Sequence, residues 1–207
     1  MNIAVIGAGN IGRRHLQALA KLKGDYTLFT IDPSLEALQL ALNMYNEVKT
    51  ANSPDLFLLE DIIKLPQELF SVIVATNSKQ RYPVTKLLMD KQINYIIFEK
   101  VLFQNYDEYQ EIESMLSYRQ IKAWVNCWRR TVPFYQAFKK KYQNYELTSF
   151  SVNGNKWGMT SNSIHFIDLL NYLTGSTDYQ FTTNNVSIMK SKRDGYYEFV
   201  GPLEGVF

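Results

Sequence analysis

The residues best suited to chemistry begin near the N-terminus, where Gly7, Gly9 and Gly12 fall between an apolar run, Ile3 to Ile6, and a stretch whose Leu16, Leu19 and Leu22 recur at helical spacing. This is G-x-G-x-x-G in a strand-to-helix turn, a pattern whose chemistry is the binding of a diphosphate. The first glycine makes the tight turn, the second lets the backbone approach a pyrophosphate, and the third lets helix and strand pack closely. Asn10 and Ile11 stand at the start of the helix, where free amides receive the anion. Asp32 comes 20 residues after Gly12, at the end of "YTLFTID", where a carboxylate can accept both hydroxyls of an adenosine ribose. Its charge would repel a 2′-phosphate, and no arginine follows, since Pro33 and Ser34 come next. The expected cofactor is therefore NAD in preference to NADP.

Two further groups could handle a hydroxyl. Lys100 directly follows the strand-like "NYIIFEK", at the carboxyl edge of a parallel sheet, where its ammonium could stabilise a developing alkoxide by a charge-assisted hydrogen bond. Taken alone, a lysine after a strand is more often a surface residue. His165 is one of only two histidines, and imidazole suits proton transfer near neutral pH. Asp168, three residues on, lies at a neighbouring helix position, from which it could orient the ring or bind a substrate hydroxyl. Taken alone, a histidine on an apolar helix is more often a core residue. His15 reads as a packing or capping residue of the first helix.

The elements that must position these residues alternate. After the first strand and helix come "YTLFTID" as a strand, a helix capped by Ser34, "DLFLLED" as a short strand, and "FSVIVATN" as a β-branched strand. A helix is predicted from Pro83 to Lys91, then a strand at "NYIIFEK" and a helix from Tyr106 to Tyr118. Such alternation implies a doubly wound parallel sheet covered on both faces, here over residues 1–120. Beyond 120 the rhythm changes. "IKAWVNCW" reads as a strand, Pro133 opens a helix to Tyr142, and "YELTSFSVNG" reads as extended. A helix over Ser161 to Leu173, capped by Ser161 or Asn162 and stopped by Gly175, precedes a strand-rich end with an Asp194-Gly195 hairpin turn. Residues 121–207 are thus expected to form a partial α+β domain whose strands belong to a separate, mostly antiparallel sheet.

At 207 residues, 46% hydrophobic and 20% charged, the chain has the composition of a globular protein. A net charge of +2 is too small to imply a nucleic-acid partner, and Lys139-Lys140-Lys141 reads as a solvated helix face. The single cysteine, Cys127, reads as a buried small side chain, compatible with a reducing cytoplasm. No segment reaches the roughly 18 uninterrupted apolar residues needed to span a bilayer, and no secretory signal is visible. "GPLEGVF" ends within a strand-like run, so a shortened product is expected.

In order along the chain, "GAGNIGRRH", "VIVATNSKQRYPVTKLLM", "FEK", "WRRTVPFY" and "SIHFIDLLNYLTG" resemble the motifs of the glucose-fructose oxidoreductase, inositol dehydrogenase and rhizopine-catabolism family, Gfo/Idh/MocA. The resemblance implies a Rossmann domain followed by an α+β domain with an open sheet. It also implies transfer of a hydride between nicotinamide and a secondary hydroxyl of a sugar, nucleotide sugar or polyol, and a homo-oligomer. It places Ala75, Thr76 and Asn77 beside the cofactor, lets Glu99 hold the cofactor and the lysine, sets Trp128 and Arg129 along the nicotinamide side, and makes Lys100, His165 and Asp168 catalytic. There are two departures. Val101 stands where the family has proline, and a cis bond without proline costs about 2.5 to 4 kcal/mol, so Lys100 is expected to be presented differently. Ser161 stands where the family often has an aspartate, with Asn162 as the compensating group. The alternative from another class is a dinucleotide-binding module without turnover; a purely structural protein has no repeat, coiled coil or metal cluster to support it.

Overall fold

The computed structural model describes residues 1–154, 158–184, 186–191 and 194–206, which fall into two compact units, Met1–Asn126 and Cys127–Phe207. In the first unit, β1 (Asn2–Ile6), β2 (Thr27–Ile31), β3 (Asp55–Leu59), β4 (Glu68–Val74), β5 (Gln92–Phe98) and β6 (Lys122–Val125) form one sheet in the order β3-β2-β1-β4-β5-β6. Every neighbouring pair is parallel. The helices α1 (Asn10–Leu19), α2 (Leu35–Asn46), α3 (Ser78–Leu88) and α4 (Tyr106–Tyr118) supply the crossovers.

Alternation along β1 divides the core in two. Ala4 and Ile6 join Val72, Val74, Ile96 and Phe98 in one buried cluster that includes Leu88 and Ile112 of α3 and α4. Ile3 and Val5 join Leu28 and Ile73 in the other, with Leu16 of α1 and Leu38 of α2. Successive strand residues face opposite sides, so a stretch buried on both sides must be apolar throughout, as Ile3 to Ile6 of β1 are. The strand order reverses between β1 and β4, and the crevice outside the carboxyl ends at such a point is where open α/β sheets bind ligands.

Two local expectations change in this unit. The helix predicted from Pro83 begins at Ser78, because Asn77 Oδ1 accepts the Gln80 N–H at 3.0 Å and caps the first turn; Pro83 lies inside the helix. "IKAWVNCW", placed beyond the expected boundary at 120, contributes β6 to the parallel sheet, so the first unit runs to Asn126.

The second unit holds α5 (Pro133–Lys141), α6 (Met159–Thr174) and two antiparallel pairs, β7 (Gln180–Thr182) with β10 (Glu204–Val206) and β8 (Ser187–Lys190) with β9 (Tyr197–Val200). The extended reading of "YELTSFSVNG" is not met: residues 146–154 form no strand, because a strand needs a partner and none among the described residues pairs with them. Asp194 and Gly195 turn between β8 and β9, Gly195 at φ +78°; residues 192–193 and the terminal Phe207 lie outside the described residues. The α6 cap is Gly158 at φ +67°, not Ser161 or Asn162. The first-turn Thr160 N–H donates instead to Glu198 Oε2 of β9 at 3.1 Å, and Ser161 Oγ donates to Glu198 Oε1 at 3.1 Å. Lys139 is not part of a solvated face: its ammonium donates to the Tyr172 carbonyl and lies 4.4 Å from that ring's centre, a cation at the C-terminal end of α6. Cys127 is buried. Among the described residues no helix is long and apolar enough to cross a membrane, and no group of three potential metal ligands exists.

Candidate functional site

The glycine turn follows β1 directly. Gly7 has φ +98°, and a Cβ on it would lie 3.1 Å from Ala75 C and Thr76 N, so the turn after β1 is pressed against the turn after β4. A Cβ on Gly12 would stand 1.8 Å from the Gly7 carbonyl oxygen, which only glycine avoids. Gly9 differs, since a Cβ there would meet nothing within 4 Å. It precedes α1 with no side-chain cap, and Gly9, Asn10 and Ile11 are exposed. The mouth of α1 is therefore open toward its first-turn amides, the arrangement that receives an anion.

Asp32 lies beside this turn. Its Oδ2 accepts the Ala8 N–H at 2.8 Å and its Oδ1 accepts the Ser34 N–H at 2.9 Å. Each oxygen retains a second lone pair, so two amides fix the carboxylate while leaving it able to accept from a vicinal diol. At the neighbouring strand end, Thr76 Oγ1 is buried with no hydrogen-bond partner among the described residues, and such a group calls for a ligand or water partner. Open glycine mouth, braced carboxylate and orphaned hydroxyl together fit a dinucleotide.

One strand further, Glu99 is 7% exposed. Its Oε1 accepts from Asn126 Nδ2 at 2.7 Å and pairs with His15 Nε2 at 2.8 Å. Burial pushes the Glu99 carboxyl up, but the hydrogen bonds from His15 and Asn126, the charge of His15 and the Lys100 backbone outweigh it and hold it below the usual range. His15 thus joins α1 to the end of β5, a role beyond packing or capping. Lys100 follows, part-buried, and the Lys100–Val101 peptide is cis even with valine at 101, contrary to the expectation from the missing proline.

Sequence reasoning also passed over Arg81. It is 2% exposed, on the face of α3 that buries Thr85 and Leu88. Its guanidinium donates to the carbonyls of Thr76 and Val101, and to that of Leu102 at 3.0 Å. The signal was present: Arg81, Thr85 and Leu88 follow the i, i+4, i+7 spacing of a core stripe.

The remaining candidates belong to the second unit. His165 is 6% exposed on α6. Asp168, expected to orient that imidazole or bind substrate, gives both carboxylate oxygens to Arg130, from Nε at 2.9 Å to Oδ2 and from Nη2 to Oδ1. Arg130 Nη2 also donates to Asn171 Oδ1 at 3.3 Å, and the hydrogen bonds that Arg130 donates to Asp168 raise its pKa. Arg130 went unnoticed because only the fold brings it to α6. Arg129 lies over the Phe166 ring at 4.2 Å and the half-exposed Trp128 at 5.2 Å, and its Nη1 is buried without a hydrogen-bond partner among the described residues.

Residues 1–127 match the family model described as oxidoreductase family, NAD-binding Rossmann fold, Gfo/Idh/MocA. No curated protein sequence matches significantly. Among solved structures, scyllo-inositol dehydrogenase from Lactobacillus casei with bound NAD(H) and scyllo-inositol superposes with a TM-score of 0.66 at 15% identity, covering 89% of this chain and 60% of that one. Myo-inositol dehydrogenase from Lactobacillus casei in complex with NAD(H) and myo-inositol gives 0.68 at 20% identity, covering 90% and 58%. The WlbA (WbpB) dehydrogenase from Thermus thermophilus in complex with NAD and UDP-GlcNAcA gives 0.63 at 17%, covering 92% and 66%. At these identities the likeness establishes the fold, and the chain spans about three fifths of the length of the two inositol dehydrogenases.

Proposed function

Since the chain belongs to the Gfo/Idh/MocA oxidoreductase family with an NAD-binding Rossmann fold, we propose that it binds NAD and serves hydride transfer to or from a secondary hydroxyl of a sugar, nucleotide sugar or polyol in the cytoplasm. The observation that carries this reading is Asp32, fixed by the Ala8 amide beside the open glycine mouth at the point where the strand order reverses.

The first-turn amides of α1, at Asn10 and Ile11, hold the diphosphate, and Asp32 accepts the adenosine ribose hydroxyls. The Ala75-Thr76-Asn77 turn flanks the other half of the ligand, with Thr76 Oγ1 as its unused polar group. When bound, the nicotinamide carries the hydride. Lys100 donates a charged hydrogen bond to the substrate oxygen, and His165 takes or returns its proton. Asp168 acts through the Arg130 pair that fixes its face of α6, and Trp128 with Arg129 contributes the nicotinamide-side wall. The inositol and UDP-sugar bound to the structural relatives motivate the substrate class. A homo-oligomer completes the reading, to be checked by sedimentation.

Titration of NADH fluorescence tests the cofactor assignment. Wild type should bind, and Asp32→Ala should weaken binding by about tenfold or more, the loss of charge-assisted hydrogen bonds; unchanged affinity overturns the assignment. A panel of inositols and nucleotide sugars tests turnover, which should be lost in Lys100→Ala and His165→Ala. NADH binding with no turnover across the panel would favour a binding module.

A further inference from the structure

We propose that Arg81 is a positioning residue that sets the nicotinamide half of the cofactor crevice, while the adenosine half is set independently by Asp32. The inference rests on the cofactor reading above and extends it to a residue that touches neither cofactor nor substrate.

The turn after β4 and the segment after β5 would otherwise be two separate loops. Arg81, held on α3, places one guanidinium across both: Nη2 donates to the Thr76 carbonyl, and Nη1 donates to the carbonyls of Val101 and Leu102. The planar fork of a guanidinium can bridge acceptors on two segments at once, which a single ammonium does less well. Burying a cation at 2% exposure is costly unless it is hydrogen-bonded, and here backbone carbonyls take that role. The bond to Thr76 fixes the turn that contacts Gly7 and carries the orphaned Thr76 hydroxyl. The bonds to Val101 and Leu102 fix the segment that begins with Lys100. A shift of α3 therefore moves the cofactor-side hydroxyl and the lysine together. The Asp32 carboxylate accepts from the Ala8 and Ser34 amides and the Asp32 N–H donates to the Leu59 carbonyl, and none of these bonds is made to Arg81.

The independence of the two halves makes the proposal testable with two probes, NADH and ADP-ribose, the latter lacking the nicotinamide. In Arg81→Met, NADH affinity should fall by about tenfold, the worth of a charge-assisted hydrogen bond, while ADP-ribose affinity changes by less than about twofold. Arg81→Lys should fall between wild type and Arg81→Met, and it is read in the same way if Arg81→Met does not fold. Equal weakening of both probes would show a merely structural role and overturn the proposal, as would unchanged NADH affinity. A measurement on the wild-type chain needs no variant: residues 75–78 and 101–103 should lose hydrogen-exchange protection as one cooperative unit, and separate opening of the two overturns the clamp. If wild type binds neither probe, the cofactor reading fails, whereas exchange still decides whether Arg81 couples the two segments.

Discussion

Glu99 is the residue at which burial and charge compete most directly. Desolvation alone would raise the pKa of its carboxyl, yet the donors around it, with His15 first among them, outweigh burial and lower it. A carboxyl whose pKa is lower folded than unfolded contributes stability that is present above the unfolded value and lost as pH falls through the folded one. The window therefore opens near the ordinary carboxylate value of 4.5 and extends below it. Thermal unfolding from neutral pH to pH ~3 should show wild type exceeding Glu99→Gln at neutrality, with the difference shrinking on acidification; a constant difference would refute the pairing. At the glycine turn the outcome is steric. Gly12→Ala places a Cβ 1.8 Å from a backbone oxygen that no side-chain rotation can relieve, so it should destabilise the chain by about 3 kcal/mol or more in chemical denaturation. Gly12 and Asp32 were legible from spacing alone. Glu99's partners were not, because His15 and Asn126 reach it from 84 and 27 residues away.

Among the elements, those with a complete local signal appeared where periodicity put them. Ser34 caps α2 through the Ala37 N–H at 3.2 Å, and β1, β2, β4 and β5 carry the apolar runs that two covering layers demand. The misplacements share a cause, which is that the deciding partner is distant or quietly local. Pro83 suggested a helix start, but the Asn77 cap had already begun the turn. Ser161 and Asn162 suggested the start of α6, yet the helix begins after Gly158, and its first-turn Thr160 N–H is met by Glu198, 38 residues away. A carboxylate at a helix N-terminus also meets the positive end of the helix dipole. Glu198→Ala should therefore free both elements, speeding amide exchange at Thr160 and in β9 and lowering stability by about 1 kcal/mol, as for loss of a cap. Glu198→Gln, which keeps an acceptor but loses the charge, should recover part of that loss. Exchange at Thr160 that is indifferent to both substitutions would show that the contact contributes nothing to either element.

Across the whole molecule the two units differ in how their strands are buried. In the first, β1 is paired on both edges and its Ala4 and Val5 have no exposed surface, while Val72 and Val74 of β4 are equally enclosed. Opening such a strand exposes both cores at once, so its amides exchange only with global unfolding. In the second unit each strand has a single described partner, and Ile188, Met189, Tyr197 and Val200 are half exposed or more. Two-stranded pairs of this kind are marginal on their own. Native-state hydrogen exchange on the full chain should therefore show β1, β4 and β5 as the slowest amides, with β7 to β10 exchanging through local opening at lower free energy. The same contrast explains why sequence patterning resolved the first unit better. Strands covered on two faces write an uninterrupted apolar run, whereas half-exposed pairs leave only short alternations that a turn residue such as Gly195 can mark but not align. Protection in β8 and β9 equal to that in β1 would contradict this account, since it would require the hairpin to open only when the parallel sheet does.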